Sequence, residues 1–126
     1  MDREQVLFRL FGKFCPAGTI LYTEGAPGEE LYVVQSGAVR VATGAGIPDD
    51  ERGPGRILGE EAFFGRTPRA GRAEVVRDSR LLLVNDRTLD AVARFKPANV
   101  ELARRLGMAH RLASRKSDAA MHYRRA

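Results

Sequence analysis

Between residues 59 and 70 the chain reads GEEAFFGRTPRA, which sets a carboxylate, Glu60, nine residues before an arginine, Arg69. The planar fork of an arginine gives charge-assisted hydrogen bonds to phosphate oxygens, each worth roughly 1.5–3 kcal/mol net. A carboxylate accepts a hydrogen bond from a hydroxyl. A short helix starting between the two residues adds backbone N–H groups that favour the same anion. An arginine thus suits an anion such as a phosphate, and a carboxylate suits a hydroxyl donor. Alone, a Glu and an Arg at that spacing carry little weight, because surface ion pairs are common and weak. The full string adds more: Leu58 stands before Gly59, Ala62 two places after Glu60, and Pro68 and the small Ala70 flank Arg69.

These residues need a framework, and the glycines describe one. From Pro16 to Val84 glycine recurs at 18, 25, 28, 37, 44, 46, 53, 55, 59, 65 and 71, with segments rich in Val, Ile, Leu, Tyr and Phe between. Short strands joined by tight turns follow, which indicates a sandwich, barrel or jelly roll. Thr19-Ile20-Leu21-Tyr22 is expected as a strand ending at the Gly25-Ala26-Pro27-Gly28 turn, and Leu31-Tyr32-Val33-Val34 as the next. Ser36-Gly37 is expected as a hairpin turn before Ala38-Val39-Arg40-Val41-Ala42, where Val39 and Val41 alternate with Arg40. The stretch ATGAGIPDDERGPG, with Ile47 its only large apolar residue, reads as a polar loop with at most a short hairpin. Ala73–Val76 and Leu81–Val84 are expected as two closing strands bent at Arg77-Asp78-Ser79.

Helices are expected at both ends. Gln5 to Phe11 is amphipathic. Asp86 is placed to cap a helix carrying Leu89, Val92, Ala93 and Phe95, which Pro97 ends or kinks. Beyond it Leu102, Leu106, Ala109 and Ala113 form an Ala-rich seam of coiled-coil spacing, with helix expected to Lys116.

The string at 59–70, with GTILYTEGAPGEELYVVQSGAVRV before it and two strands and a capped helix after it, resembles the cyclic-nucleotide-binding domain family. Bacterial catabolite activator proteins and the regulatory subunits of protein kinase A belong to that family. The resemblance implies a mainly β fold: a jelly roll of about eight short strands, a short N-terminal helix, a phosphate-cassette helix and a long C-terminal helix. Residues 1–97 would form the jelly roll with its short helices, and 98–126 a basic C-terminal helix of the same domain. It also implies that Glu60 accepts from the ribose 2′-hydroxyl and Arg69 holds the cyclic phosphate, within a cassette of Gly59, Glu60, Glu61, Ala62, Pro68, Arg69 and Ala70.

Departures from the family pattern bear on the ligand. Glu61 stands where leucine is usual, and a second carboxylate beside an anion must turn to solvent to avoid repelling it. Arg72 replaces a small hydroxyl residue and is either a second phosphate contact or an outward charge at a strand start, the latter favoured. Relatives that prefer cyclic GMP often carry Thr or Ser directly after the cassette arginine, so Ala70 leans towards cyclic AMP. Base contacts would come from the C-terminal helix at Ser114 and Arg115, with a register one residue different also open.

Composition bounds the rest. The 126 residues suit one domain. Of 21 basic and 16 acidic side chains, residues 1–93 hold 12 and 14 and residues 94–126 hold 9 and 2, so the net charge of +5 sits in the tail. No apolar run approaches the roughly 20 residues of a membrane span, and MDREQ is unlike a secretory signal, so a cytoplasmic protein is expected. The single Cys15 reads as a structural thiol, and His110 and His122, both in the last seventeen residues, do not make a metal-dependent jelly-roll enzyme. No nucleophile with an adjacent base and no phosphate-binding Walker loop appears, so no enzyme is expected.

Two functions follow. The favoured one is a stand-alone cyclic-nucleotide sensor, free of metal or other cofactor, that acts on an unknown protein partner or a homodimer through its C-terminal helix. Many relatives continue into a DNA-reading helix-turn-helix; with the sequence ending at Ala126, sequence-specific DNA binding is not expected. The alternative is a ligand-free interaction module that uses the basic helix to bind a protein or, nonspecifically, nucleic acid.

Overall fold

The computed structural model describes residues 2–43 and 46–95. In chain order the elements are α1 (Arg3–Phe11), β1 (Gly12–Cys15), β2 (Ile20–Tyr22), β3 (Leu31–Ala42) and β4 (Asp50–Arg52). They continue with β5 (Ile57–Leu58), α2 (Glu60–Gly65), β6 (Arg72–Val84) and α3 (Leu89–Phe95). The C-terminal helix, its seam, the basic tail and Ser114 with Arg115 lie outside the described residues.

Helix α1 starts two residues before the apolar periodicity suggests, because Asp2 and Gln5 form a capping box. The backbone N–H of Gln5 donates to the Asp2 carboxylate at 2.8 Å, and that of Asp2 to the Gln5 side chain at 3.0 Å. Leu7 carries the helix into the core with no exposed surface.

All strand pairs are antiparallel, in the order β1-β6-β3-β4, with β2 also on β6 and β5 also on β3. The backbone of this jelly roll is the pair β3 and β6, of 12 and 13 residues, which run together from Leu31 opposite Val84 to Ala42 opposite Arg72. Among the described residues six strands thus stand where about eight short ones were expected. The difference lies at Ser36-Gly37 and Arg77-Asp78-Ser79, where the register shifts but β3 and β6 each continue.

The hairpin turn expected at Ser36-Gly37 is instead a bulge: the register shifts between Val34 and Ser36, again before Ala38 and again before Val39. Gly37 takes φ +94, and a Cβ there would lie 2.1 Å from Ser79 Oγ and 2.5 Å from the Asp78 carbonyl. Ser79, 1% exposed, repairs the ladder by accepting from the Ala38 N–H at 3.1 Å and donating to the Arg77 carbonyl at 2.6 Å. Gly37→Ala is accordingly expected to cost about 2 kcal/mol, from left-handed strain together with overpacking. A urea titration showing less than 0.5 kcal/mol would remove the bulge from the list of structural constraints.

The strand period of two sorts the apolar side chains into two cores. Leu31, Val33, Leu82 and Val84 meet Leu7, Phe63, Phe64 and Val92. Tyr32, Val34 and Leu81 meet Cys15, Val39, Val41, Leu58, Ala73 and Val75 on the other. Burial pushes the Cys15 thiol pKa up, only partly offset by the charge of Lys13, which keeps it a thiol.

Between Ala42 and Gly55 the polar stretch yields one short strand, β4, whose Asp50, Glu51 and Arg52 pair with Val41, Arg40 and Val39. In the turn that leads into α3, Asn85 and not the expected Asp86 receives the backbone N–H groups. Asn85 Oδ1 accepts from the N–H groups of Arg87 and Thr88 at 2.9 and 3.0 Å. Asp86 instead receives both ends of the Arg66 guanidinium, at 2.7 and 3.0 Å, and so ties the end of α2 to the start of α3. Asn85 and Asp86 are both competent caps, and the nearby arginine decides between them.

Candidate functional site

The site is built around a turn, a helix start and the strand β4. Residues 66–71 return from α2 past the turn that follows β2, and the two segments pair. The Gly25 N–H donates to the Arg69 carbonyl and the Arg69 N–H to the Ala26 carbonyl, both at 2.8 Å. Pro27 and Pro68 form an isolated bridge alongside. Arg69 is thereby fixed at its backbone before its side chain makes a contact.

That side chain is 4% exposed. Nη1 donates to the Gly59 carbonyl at 2.8 Å and Nη2 to the Glu30 carbonyl at 2.5 Å, while Cζ lies 4.2 Å from the centre of the Tyr22 ring. Among the described residues Nε has no hydrogen-bond partner. Gly59 makes the first of these contacts possible: it takes φ +79, and a Cβ there would sit 2.6 Å from Arg69 Nη1.

A cavity of about 120 Å³ opens beside the guanidinium, large enough for several waters. Gly59, Glu60, Glu61, Ala62, Pro68, Arg69 and Ala70 line it, so the structure brings together every cassette residue singled out from the sequence. The first turn of α2, whose N–H groups have no partners within the helix, lies along the same wall. Glu61 lines the mouth and is exposed. Arg72 is not at the cavity; it is half exposed and its Nη2 meets Glu74 at 2.7 Å.

Glu60 is half-buried, and burial pushes its carboxyl pKa up. Its own backbone N–H and the charge of Arg52 pull in the opposite direction. Arg52 Nη1 stands 3.7 Å from Glu60 Oε1, held in place by the Ile57 carbonyl at 2.8 Å and by Asp50 on Nε at 2.9 Å. Arg52 and Tyr22 line the cavity together with Val41, Thr43, Thr67 and Gly71, none of which the sequence pattern marks. Arg52 ends an acidic run and Tyr22 sits in an ordinary strand pattern, so neither carries a local signal. Gly71 closes the site at a tight crossing, where a Cβ would fall 1.7 Å from the Ala42 carbonyl oxygen.

Among the described residues no helix is long and apolar enough to cross a membrane. Residues 13–94 match the cyclic nucleotide-binding domain family. A cyclic nucleotide-gated potassium channel of Mesorhizobium japonicum is 26% identical over 107 residues, covering 85% of this chain and 29% of the channel. A CRP-like cAMP-activated global transcriptional regulator of Mycobacterium tuberculosis is 30% identical over 102 residues, covering 72% of this chain and 45% of the regulator. This chain thus spans less than half the length of either relative. The crystal structure of the Thermus thermophilus catabolite activator protein superposes with a TM-score of 0.60 at 27% identity, over 94% of this chain and 56% of that one. With the cassette geometry and the match from residue 13 to 94, the chain belongs to the cyclic nucleotide-binding domain family.

Proposed function

We propose that this chain is a regulatory sensor that binds a cyclic nucleotide, cyclic AMP ahead of cyclic GMP, and carries out no chemistry on it. The observation that carries this is Arg69, a guanidinium 4% exposed whose Nε donor is unpartnered at the wall of a cavity that also holds Glu60. A buried cation with an unused donor is costly until an anion takes it up. A cyclic phosphate supplies one negative charge and exocyclic oxygens for the fork, while the neighbouring ribose 2′-hydroxyl donates to the Glu60 carboxylate. The absence of a hydroxyl side chain at Ala70 supports cyclic AMP. The two curated relatives, named for cyclic-nucleotide gating and for cAMP activation, support the ligand class.

The output would pass through residues 98–126 as a shift between two positions of that segment, with ligand binding one of them more tightly. A homodimer would form on the Leu102, Leu106 and Ala109 seam.

Calorimetric titration at pH 7 is expected to show one saturable site, tighter for cyclic AMP. Because burial raises the Glu60 pKa above its ordinary value of 4.5, acidification neutralises this carboxylate earlier than an ordinary one. Affinity is then expected to fall about tenfold as pH drops through that raised value, the equivalent of one lost charge-assisted hydrogen bond. Cyclic 2′-deoxy-AMP should show no such acid limb. In the unliganded protein the sign is reversed: the folded state holds the Glu60 proton more tightly, so its stability contribution is present at low pH and declines as pH rises from 4.5 through the raised pKa. No heat from either nucleotide at millimolar concentration would leave the ligand-free interaction module as the function.

A further inference from the structure

We infer that Tyr22 is a positioning residue for Arg69, its ring holding the guanidinium on the ligand side of a partition between two cavities. The consequence for affinity rests on the cyclic-nucleotide function proposed above; the geometry does not. Tyr22 and Arg69 both line the cavity that contains Glu60, and both also line a second groove of about 330 Å³ whose walls include Pro27, Glu29, Glu30 and Tyr32. The two side chains together separate these spaces.

The platform is assembled from the buried side outward. Tyr32, 4% exposed, donates its hydroxyl to Glu30 Oε1 at 2.8 Å. Tyr22 stacks on Tyr32 with ring centres 6.2 Å apart and planes 28° apart. The guanidinium carbon of Arg69 then lies 4.2 Å from the Tyr22 centroid, a cation over an aromatic face at a desolvated position. Edge contacts to the Gly59 and Glu30 carbonyls use one donor of each terminal nitrogen, while Nε–H has none. Supported on one face and tethered at two edge donors, the fork presents its remaining N–H groups without searching rotamers when a phosphate arrives.

Without the ring the guanidinium has another destination. Glu29 and Glu30 line the second groove, and the Glu30 carboxylate accepts from the Tyr32 hydroxyl. An unsupported cation would turn towards those charges and leave the phosphate side. Tyr22 therefore contributes to affinity without touching the phosphate, a role hidden in the sequence because ILYT reads as an ordinary strand end.

The test follows the Arg69 Nε–H signal by ¹⁵N-edited NMR in the wild type, Tyr22→Phe and Tyr22→Leu, with Tyr22→Ile in reserve if the leucine variant does not fold, followed by titration with cyclic AMP. The signal is expected to be ring-current shifted and protected from solvent exchange in the wild type and in Tyr22→Phe, and to lose both properties in the aliphatic variants. Cyclic AMP affinity should fall about tenfold in the aliphatic variants and stay within about twofold in Tyr22→Phe. In an Arg69→Lys background, which lacks the planar fork, Tyr22→Leu should add little further loss. The ring-current change alone follows from removing the ring, so position is read from NOEs between the Arg69 guanidinium and the Gly59 α-protons, and their persistence in Tyr22→Leu overturns the inference, whether or not affinity changes. Should the wild type bind no cyclic nucleotide while Tyr22→Leu loses the NOEs between the Arg69 guanidinium and Gly59, the positioning role stands and the proposed ligand falls.

Discussion

Arg69→Ala is expected to weaken cyclic-nucleotide binding by about a hundredfold or more, the loss of two charge-assisted hydrogen bonds to phosphate at roughly 1.5–3 kcal/mol each. The same substitution removes the guanidinium hydrogen bonds to the Gly59 carbonyl, which keeps the Phe63 N–H, and to the Glu30 carbonyl, so it also costs about 1–3 kcal/mol of stability. The two effects separate by experiment. Affinity is measured by calorimetry well below the midpoint of thermal unfolding, and stability by urea titration of the unliganded protein. Arg69→Lys keeps the charge but not the fork, and should fall between the alanine variant and the wild type in affinity. Binding of cyclic AMP by the alanine variant within threefold of wild type would move the phosphate away from Arg69 and take the proposed site with it.

Phe63→Ala is expected to cost about 3–5 kcal/mol of stability, a large part of the roughly 5–15 kcal/mol that holds a domain of this size. Phe63 is 1% exposed and meets Phe64 edge to face with centroids 4.9 Å apart, in a core shared with Leu7, Leu31, Val33, Leu82, Val84 and Val92. Helix α2 has only six residues, too few to hold its shape by its own hydrogen bonds. The two phenylalanines therefore anchor the cassette, and Glu60 and Gly59 are placed by a core contact that lies outside the cavity lining. At concentrations where Phe63→Ala is still folded, its cyclic AMP affinity should drop as well, because a loosened α2 no longer holds Glu60 at the cavity. A cost below about 1.5 kcal/mol would show that the surrounding core closes over the deleted ring and that α2 is held elsewhere.

The legible parts of this protein are those in which neighbours in sequence are neighbours in space. The cassette is one: Gly59, Glu60, Glu61, Ala62, Pro68, Arg69 and Ala70 fall within twelve residues, and a six-residue helix and its return bring all of them to one cavity. Helix α1 is another, since its apolar spacing and its Asp2 and Gln5 cap are local. Strand number was less legible. Gly37 carries a clear signal for positive φ, yet a hairpin turn and a bulge both satisfy it, and what selects the bulge is Ser79 across the ladder. Asp86 was misplaced for the same kind of reason: cap and ion-pair partner are both good uses of a carboxylate, and Arg66 is near enough to claim it.

By itself the sequence determined a mainly β fold, through glycine-punctuated β-rich segments, and its resemblance to the cyclic-nucleotide-binding domain family implied the jelly roll and the cassette roles of Glu60 and Arg69. Those properties depend on residue type and short-range order, which a linear string records in full. Only the tertiary structure decided which strands continue through their bends, that Arg52 faces Glu60, and that Tyr22 lies under Arg69. Each of these joins segments separated along the chain, and such pairings are set by sheet register and core packing, where many side chains would fit the same local pattern.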